Sequence, residues 1–119
     1  MKTGKGAMGR LQDLTSDFFR PSGWRPKADV YRCKNGLLVK LELAGVAEQD
    51  VSLTLQRGLL IVEGKRRDWC VVDTQASLSM EITYDWFRRT IKLPIVSEAV
   101  EMHYEYRNGM LLVHLKVKG

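Results

Sequence analysis

Two histidines and two cysteines are the side chains of this chain best suited to chemistry, and their spacing supplies little of it. His103 and His114 flank Asn108-Gly109, so a tight hairpin there sets them side by side. Two adjacent imidazoles could share a metal ion or titrate together. A structural zinc site takes four ligands, and neither Cys33 nor Cys70 belongs to a Cys-x-x-Cys pair that would complete it. The expectation is a pair of solvent-facing polar residues, with no metal and no cofactor. Gly4, Gly6 and Gly9 have no strand before them, so they do not form a phosphate loop. No serine sits in a nucleophile-elbow context. No catalytic residue is assigned, and the chain reads as a binding protein rather than an enzyme.

Charge bounds the partners. The net charge is +5, but residues 1–27 hold six Lys/Arg against two acids, while the rest is close to neutral. A nucleic-acid-binding domain concentrates its cations on one face, so no nucleic-acid partner is expected. Only Lys65-Arg66-Arg67 is a local basic run, and it reads as a solvated loop. No stretch approaches the ~20 apolar residues of a membrane span, and no apolar run follows the basic N-terminus. Two cysteines are too few for a disulfide framework. The location read from these features is cytoplasmic.

Behind these residues stand two kinds of element. Residues 1–23 read as a flexible arm, partly helical or disordered. Met8, Leu11, Leu14 and Phe18 recur at helical spacing, Phe19 widens the apolar face, and Pro21 and Gly23 stop any helix. Such a short helix is marginal alone, because nucleation is costly. From Ala28 the period becomes two. Leu37, Val39, Leu41 and Leu43 form one alternating set; Val51, Leu53 and Leu55 form another; Leu60 and Val62 a third. Turn signals at Asn35-Gly36, Ala44-Gly45, Arg57-Gly58 and Gly64 separate them. Short strands at such spacing without helices between them argue an all-β antiparallel sandwich over 24–119. At 119 residues the chain can bury about two-thirds of its unfolded surface, enough for one core.

The last hairpin can be registered from sequence. A two-residue Asn108-Gly109 loop suits a type I′ turn with φ > 0 at both positions. It pairs Tyr106 with Leu111, Tyr104 with Val113 and Met102 with Leu115, which is a core face. The other face pairs Glu105 with Leu112, His103 with His114 and Glu101 with Lys116. A slip of one residue would bury the charged set, so the register is well specified. The stretch 66–79 is the least regular, yet Trp69 to Val72 is too apolar for a solvated loop. A long irregular segment in a compact domain is usually functional or disordered.

Several short motifs occur in one order. They are Trp24-Arg25-Pro26-Lys27-Ala28-Asp29-Val30, Glu42-Leu43-Ala44-Gly45-Val46, Leu60-Ile61-Val62-Glu63-Gly64-Lys65-Arg66, Phe87-Arg88-Arg89-Thr90-Ile91-Lys92-Leu93-Pro94 and Asn108-Gly109-Met110-Leu111-Leu112-Val113. Together they resemble the α-crystallin domain of small heat-shock proteins, from Trp24 to Val117. The resemblance implies an immunoglobulin-like sandwich and an ATP-independent holdase that forms a homodimer or small oligomers and captures unfolding client proteins. It implies a strand swapped between partners in the segment 66–79, so Trp69, Val71 and Val72 are expected at the dimer interface. Arg89 and Lys92 join them, at the Phe-x-Arg and pre-Leu-Pro positions. It also implies a groove between a fourth strand, matching Val51 to Gln56, and an eighth, matching Ala99 to Tyr106. That groove, beside Val51, Leu53 and Leu55, normally accepts an Ile-x-Ile segment. The apolar arm, through Leu11, Leu14, Phe18 and Phe19, is expected to bind clients. The chain departs from the family at Ala44, where Pro is usual, at Lys116-Val117, where Pro-Lys is usual, and at Tyr104, where a small residue is usual. No Ile-x-Ile follows Lys116, so dimers or small oligomers are expected rather than a cage. Two other readings are a scaffold module binding one folded partner and a basic-arm binder of nucleic acid or membrane surfaces.

Overall fold

The computed structural model describes residues 23–69, 73–94 and 100–118. Seven strands run in chain order: β1 Ala28–Cys33, β2 Gly36–Glu42, β3 Val51–Gln56, β4 Leu59–Lys65, β5 Trp86–Lys92, β6 Val100–Arg107 and β7 Met110–Val117. A short 3-10 turn, Glu48–Asp50, leads into β3. The strands form an antiparallel sheet of order β1-β2-β7-β6 and a second of order β3-β4-β5. This is the sandwich read from the period-two pattern.

The alternation assigns the core. From the larger sheet come Leu37, Val39 and Leu41 of β2 and Leu111, Val113 and Leu115 of β7. From the smaller come Leu53, Leu60, Val62, Phe87 and Ile91. Leu43, Val46 and Leu93, in the connections, close the core at its ends. Apolar burial at about 25 cal/mol per Å² is the term holding the two sheets together. Trp24 meets Phe87 edge-to-face, with ring centroids 5.3 Å apart.

The β6–β7 register is the one expected: Tyr106 opposes Leu111, Tyr104 opposes Val113, and His103 opposes His114. Asn108 and Gly109 take φ of 52° and 79°, the left-handed pair that a type I′ turn needs. The first hairpin differs from expectation by one residue. Cys33 pairs with Gly36, so Lys34 and Asn35 make the turn and Gly36 opens β2. The reason lies on the other side of β2. A Cβ on Gly36 would stand 1.7 Å from the Leu115 carbonyl oxygen, so the glycine serves close strand approach rather than turn geometry.

The basic run is a second correction. Lys65 ends β4, Arg66 is held by carbonyls and by an indole face, and Arg67 pairs with Asp50 at 3.0 Å. Lys65 and Arg66 are half-buried and engaged in the fold, because β4 leads directly into the segment that they fasten, while Arg67, though paired, keeps a side chain 54% exposed.

Candidate interaction surfaces

Three surfaces of the sandwich could bind, and each follows from how the strands are laid out. The first is the segment joining β4 to β5. Its ends are closed by the Arg66 N–H, which donates to the Asp85 carbonyl at 3.0 Å. Inside it Leu78, Met80 and Ile82 alternate at period two, like the strands of the core, yet they are 98%, 59% and 61% exposed. Trp86 at the start of β5 is also half exposed. Contiguous exposed apolar residues of this size mark an interaction surface.

Of the residues expected at a dimer interface, Trp69 lies at the start of this segment. Its ring is 53% exposed, while its indole N–H donates to the Gly45 carbonyl at 3.0 Å. Val71 and Val72 lie outside the described residues. Arg89 points toward the core side of β5, where Nη1 donates to the Pro26 carbonyl at 2.7 Å, so it fastens the chain entering β1 to the small sheet. Lys92 is exposed at the end of β5. Trp69 thus opens the segment that carries the exposed stripe, and Arg89 is bound within its own chain. Leu78, Met80 and Ile82 escaped the sequence reading, although their alternation was visible. The stretch lacks the flanking turn signals and neighbouring alternation that identify a paired strand.

The second surface lies between the free edges of the two sheets, β3 and β6. Val51 and Leu55 of β3, and Val100, Met102 and Tyr104 of β6, are half-buried against the core. Leu53, expected in this groove, is 3% exposed and belongs to the core itself. The Tyr104 hydroxyl donates to Glu48 Oε2 at 2.9 Å, a bond that spans the two edges. Burial raises the Tyr104 pKa above its usual value, and the bond to the Glu48 carboxylate adds to the rise. Tyr106, next along the same face, donates to the Leu43 carbonyl, and its pKa is also raised by burial, against smaller lowering effects from the backbone and Arg66.

The third surface is an open cleft of about 580 Å³ lined by Asp50, Ser52, Glu63, Lys65, Arg67 and Arg88, among others. Its charges pair among themselves: Arg67 with Asp50, and Arg88 with Glu63 at 2.7 Å, while the Lys65 ammonium sits 5.3 Å from the Trp86 ring centroid. On the outer face of β6 and β7, His103 and His114 lie 3.7 Å from Glu101 and Glu105 respectively, both imidazoles substantially exposed. Among the described residues no group of three or more His, Cys, Asp or Glu could hold a metal ion. Cys33 is exposed in the first hairpin. The client-binding expectation for Leu11, Leu14, Phe18 and Phe19 falls outside the described residues, as do Cys70 and the start of the eighth-strand match at Ala99. Among the described residues no helix is long and apolar enough to cross a membrane.

Comparison with known proteins agrees with this geometry. Residues 29–119 match the model of the Hsp20/alpha crystallin family. Heat shock protein 16 of Schizosaccharomyces pombe is 30% identical, over 88% of this chain and 81% of its own. The chain spans only 60% of a second relative, small heat shock protein C2 of Rickettsia felis. Among solved structures, HSP18.5 from E. histolytica is 27% identical with a TM-score of 0.65, covering 81% of this chain and 91% of that one. Heat shock protein 16.0 from Schizosaccharomyces pombe is 28% identical, also with a TM-score of 0.65, over 79% and 87%.

Proposed function

On the premise that this chain belongs to the Hsp20/alpha crystallin family, a family of small heat-shock chaperones, we propose that it is an ATP-independent holdase. It captures partly unfolded clients through exposed apolar surface and keeps them from aggregating. The family match carries the holdase reading, and the uncovered stripe Leu78, Met80 and Ile82, on a segment that also exposes Trp69, supports the dimer that goes with it. Such a surface draws an apolar partner by burial, at about 25 cal/mol per Å². A period-two stripe without a neighbouring strand fits a second copy of this chain, which makes the working unit a homodimer. The segment 66–85 is then the dimer surface, with Trp69, Val71 and Val72 at its start.

Client capture is assigned to the arm through Leu11, Leu14, Phe18 and Phe19. The groove between β3 and β6 is assigned to an extended apolar peptide, which would add main-chain bonds to a strand edge. The reading is of a cytoplasmic protein that needs no cofactor and does not act on nucleic acid. Light scattering of a heat-denatured client, without ATP, tests it. Suppression at near-stoichiometric protein is the expected result, and suppression should weaken when residues 1–22 are removed. No suppression, together with tight binding to one folded protein, would replace the holdase by a scaffold module.

A further inference from the structure

We infer that Arg66 couples the root of the N-terminal arm to the segment 66–85, so that what occupies one changes the set of the other. The functional meaning of this coupling rests on the proposed roles of arm and segment; the coupling itself rests on geometry. One guanidinium meets three parts of the chain at once. Its Nε donates to the Thr83 carbonyl at 2.9 Å, near the end of the segment. Its Nη1 donates to the Ala44 carbonyl at 3.3 Å, in the turn after β2. Its face lies over Trp24, with the central carbon 3.7 Å from the ring centroid.

Each of these partners leads somewhere. Trp24 is the first large side chain after Gly23, where the arm joins the domain, and its ring rests on buried Phe87. The turn after β2 also supplies the Gly45 carbonyl that holds the Trp69 indole. A Cβ on Gly45 would stand 3.5 Å from Arg66 Cδ, so the side chain runs close along that turn. Thr83 adjoins Ile82, the last member of the exposed stripe. Arg66 therefore sets where the segment leaves the sandwich and how it returns.

The chemistry suits arginine alone. A planar guanidinium donates in its plane while its face stays free to stack on an aromatic ring. A lysine ammonium is a point charge and cannot hold two carbonyls and an indole face in one geometry. If a bound client draws the arm and Trp24 away, the stacked face loses its support and the aim at Thr83 and Ala44 relaxes. By linkage, docking of the segment must act back on Trp24 with the same coupling free energy.

The test uses the full chain in four forms: Arg66→Ala, Arg66→Lys, Trp24→Leu and the Trp24→Leu/Arg66→Ala double variant. Hydrogen exchange is followed at 67–69 and 83–85, and dimer dissociation by sedimentation. The expected result is faster exchange at 83–85 in Trp24→Leu as well as in Arg66→Ala, since Arg66 meets both Trp24 and Thr83. Dimerisation should weaken by about tenfold in each single variant and little further in the double, the mark of a coupled pair. Arg66→Lys, which keeps the charge and a fold-compatible stem, should behave like Arg66→Ala. Additive effects, or exchange at 83–85 that ignores Trp24→Leu, would overturn the coupling. Coupled exchange with an unchanged dimer would keep the coupling and remove the dimer role of the segment instead.

Discussion

Strand β7 and the segment before β5 carry the same pattern and meet opposite fates. Leu111, Val113 and Leu115 alternate with polar or half-buried residues and are 2%, 0% and 1% exposed. Leu78, Met80 and Ile82 alternate in the same way and are 98%, 59% and 61% exposed. The difference is in the neighbours. β7 lies between β2 and β6, with β2 in register from Gly36 to Glu42 and β6 from Val100 to Arg107. Residues 78–82 pair with no strand among the described residues. Period-two alternation thus states that a stretch will have one buried face, and leaves open which chain supplies the cover.

The harshest way to sharpen this contrast is the same charge on both stripes. Val113→Asp buries an unpaired carboxylate and should abolish cooperative unfolding, since such a charge costs several kcal/mol of a total stability of about 5–15 kcal/mol. Leu78→Asp should keep a cooperative melt in circular dichroism, because the site is uncovered within one chain, and should lose only what dimerisation contributes. Equal melting of the two would break the comparison. Next, Leu78→Ser, Met80→Ser and Ile82→Ser together should leave a folded protein that sediments as a monomer. A dimer that persists would move the interface to another edge.

Smaller effects probe the frame that holds β7. Gly36→Ala forces a Cβ toward the Leu115 carbonyl oxygen, 1.7 Å from its ideal position, and should cost about 1–3 kcal/mol in denaturant unfolding. Alkaline pH probes the inner face of β6. Tyr104 and Tyr106 have folded pKa values above the usual 10.0, so their protonated forms are favoured by folding. That contribution is fully present below pH 10 and is lost as pH rises through the folded values. Tyr104→Phe should therefore flatten the loss of stability above pH 10 in melts taken across that range. The least effect belongs to the cross-strand pair Glu101–Lys116 on the solvent face, where Lys116→Ala should change stability by less than ~1 kcal/mol.

The β6–β7 hairpin was legible from the sequence down to its pairs, because Asn108-Gly109 admits one turn geometry and one register buries the tyrosines. The sandwich class and most of its core followed from alternation in the same way. The interaction surfaces were only partly legible. Val51, Leu53 and Leu55 share the inward face of β3, as the alternation implies; Leu53, in mid-strand, is covered completely, while Val51 and Leu55 nearer the ends stay half-buried, a difference set by the sheet across from them. Gly36 looked like a turn residue and is a packing residue, because the carbonyl it must clear belongs to β7, far along the chain.

The period of the strands, the face each buries and the Asn108-Gly109 turn are written in the chain, for these depend on residues within a few positions of one another. The tertiary structure decided what lies across from each face. Arg66 reads as a solvated cation until Trp24, Ala44 and Thr83 are brought around it, and the alternation of Leu78, Met80 and Ile82 acquires its meaning only because no strand among the described residues covers it. Local chemistry fixes direction and period; burial and pairing are relations between distant residues, settled only when the sheets close.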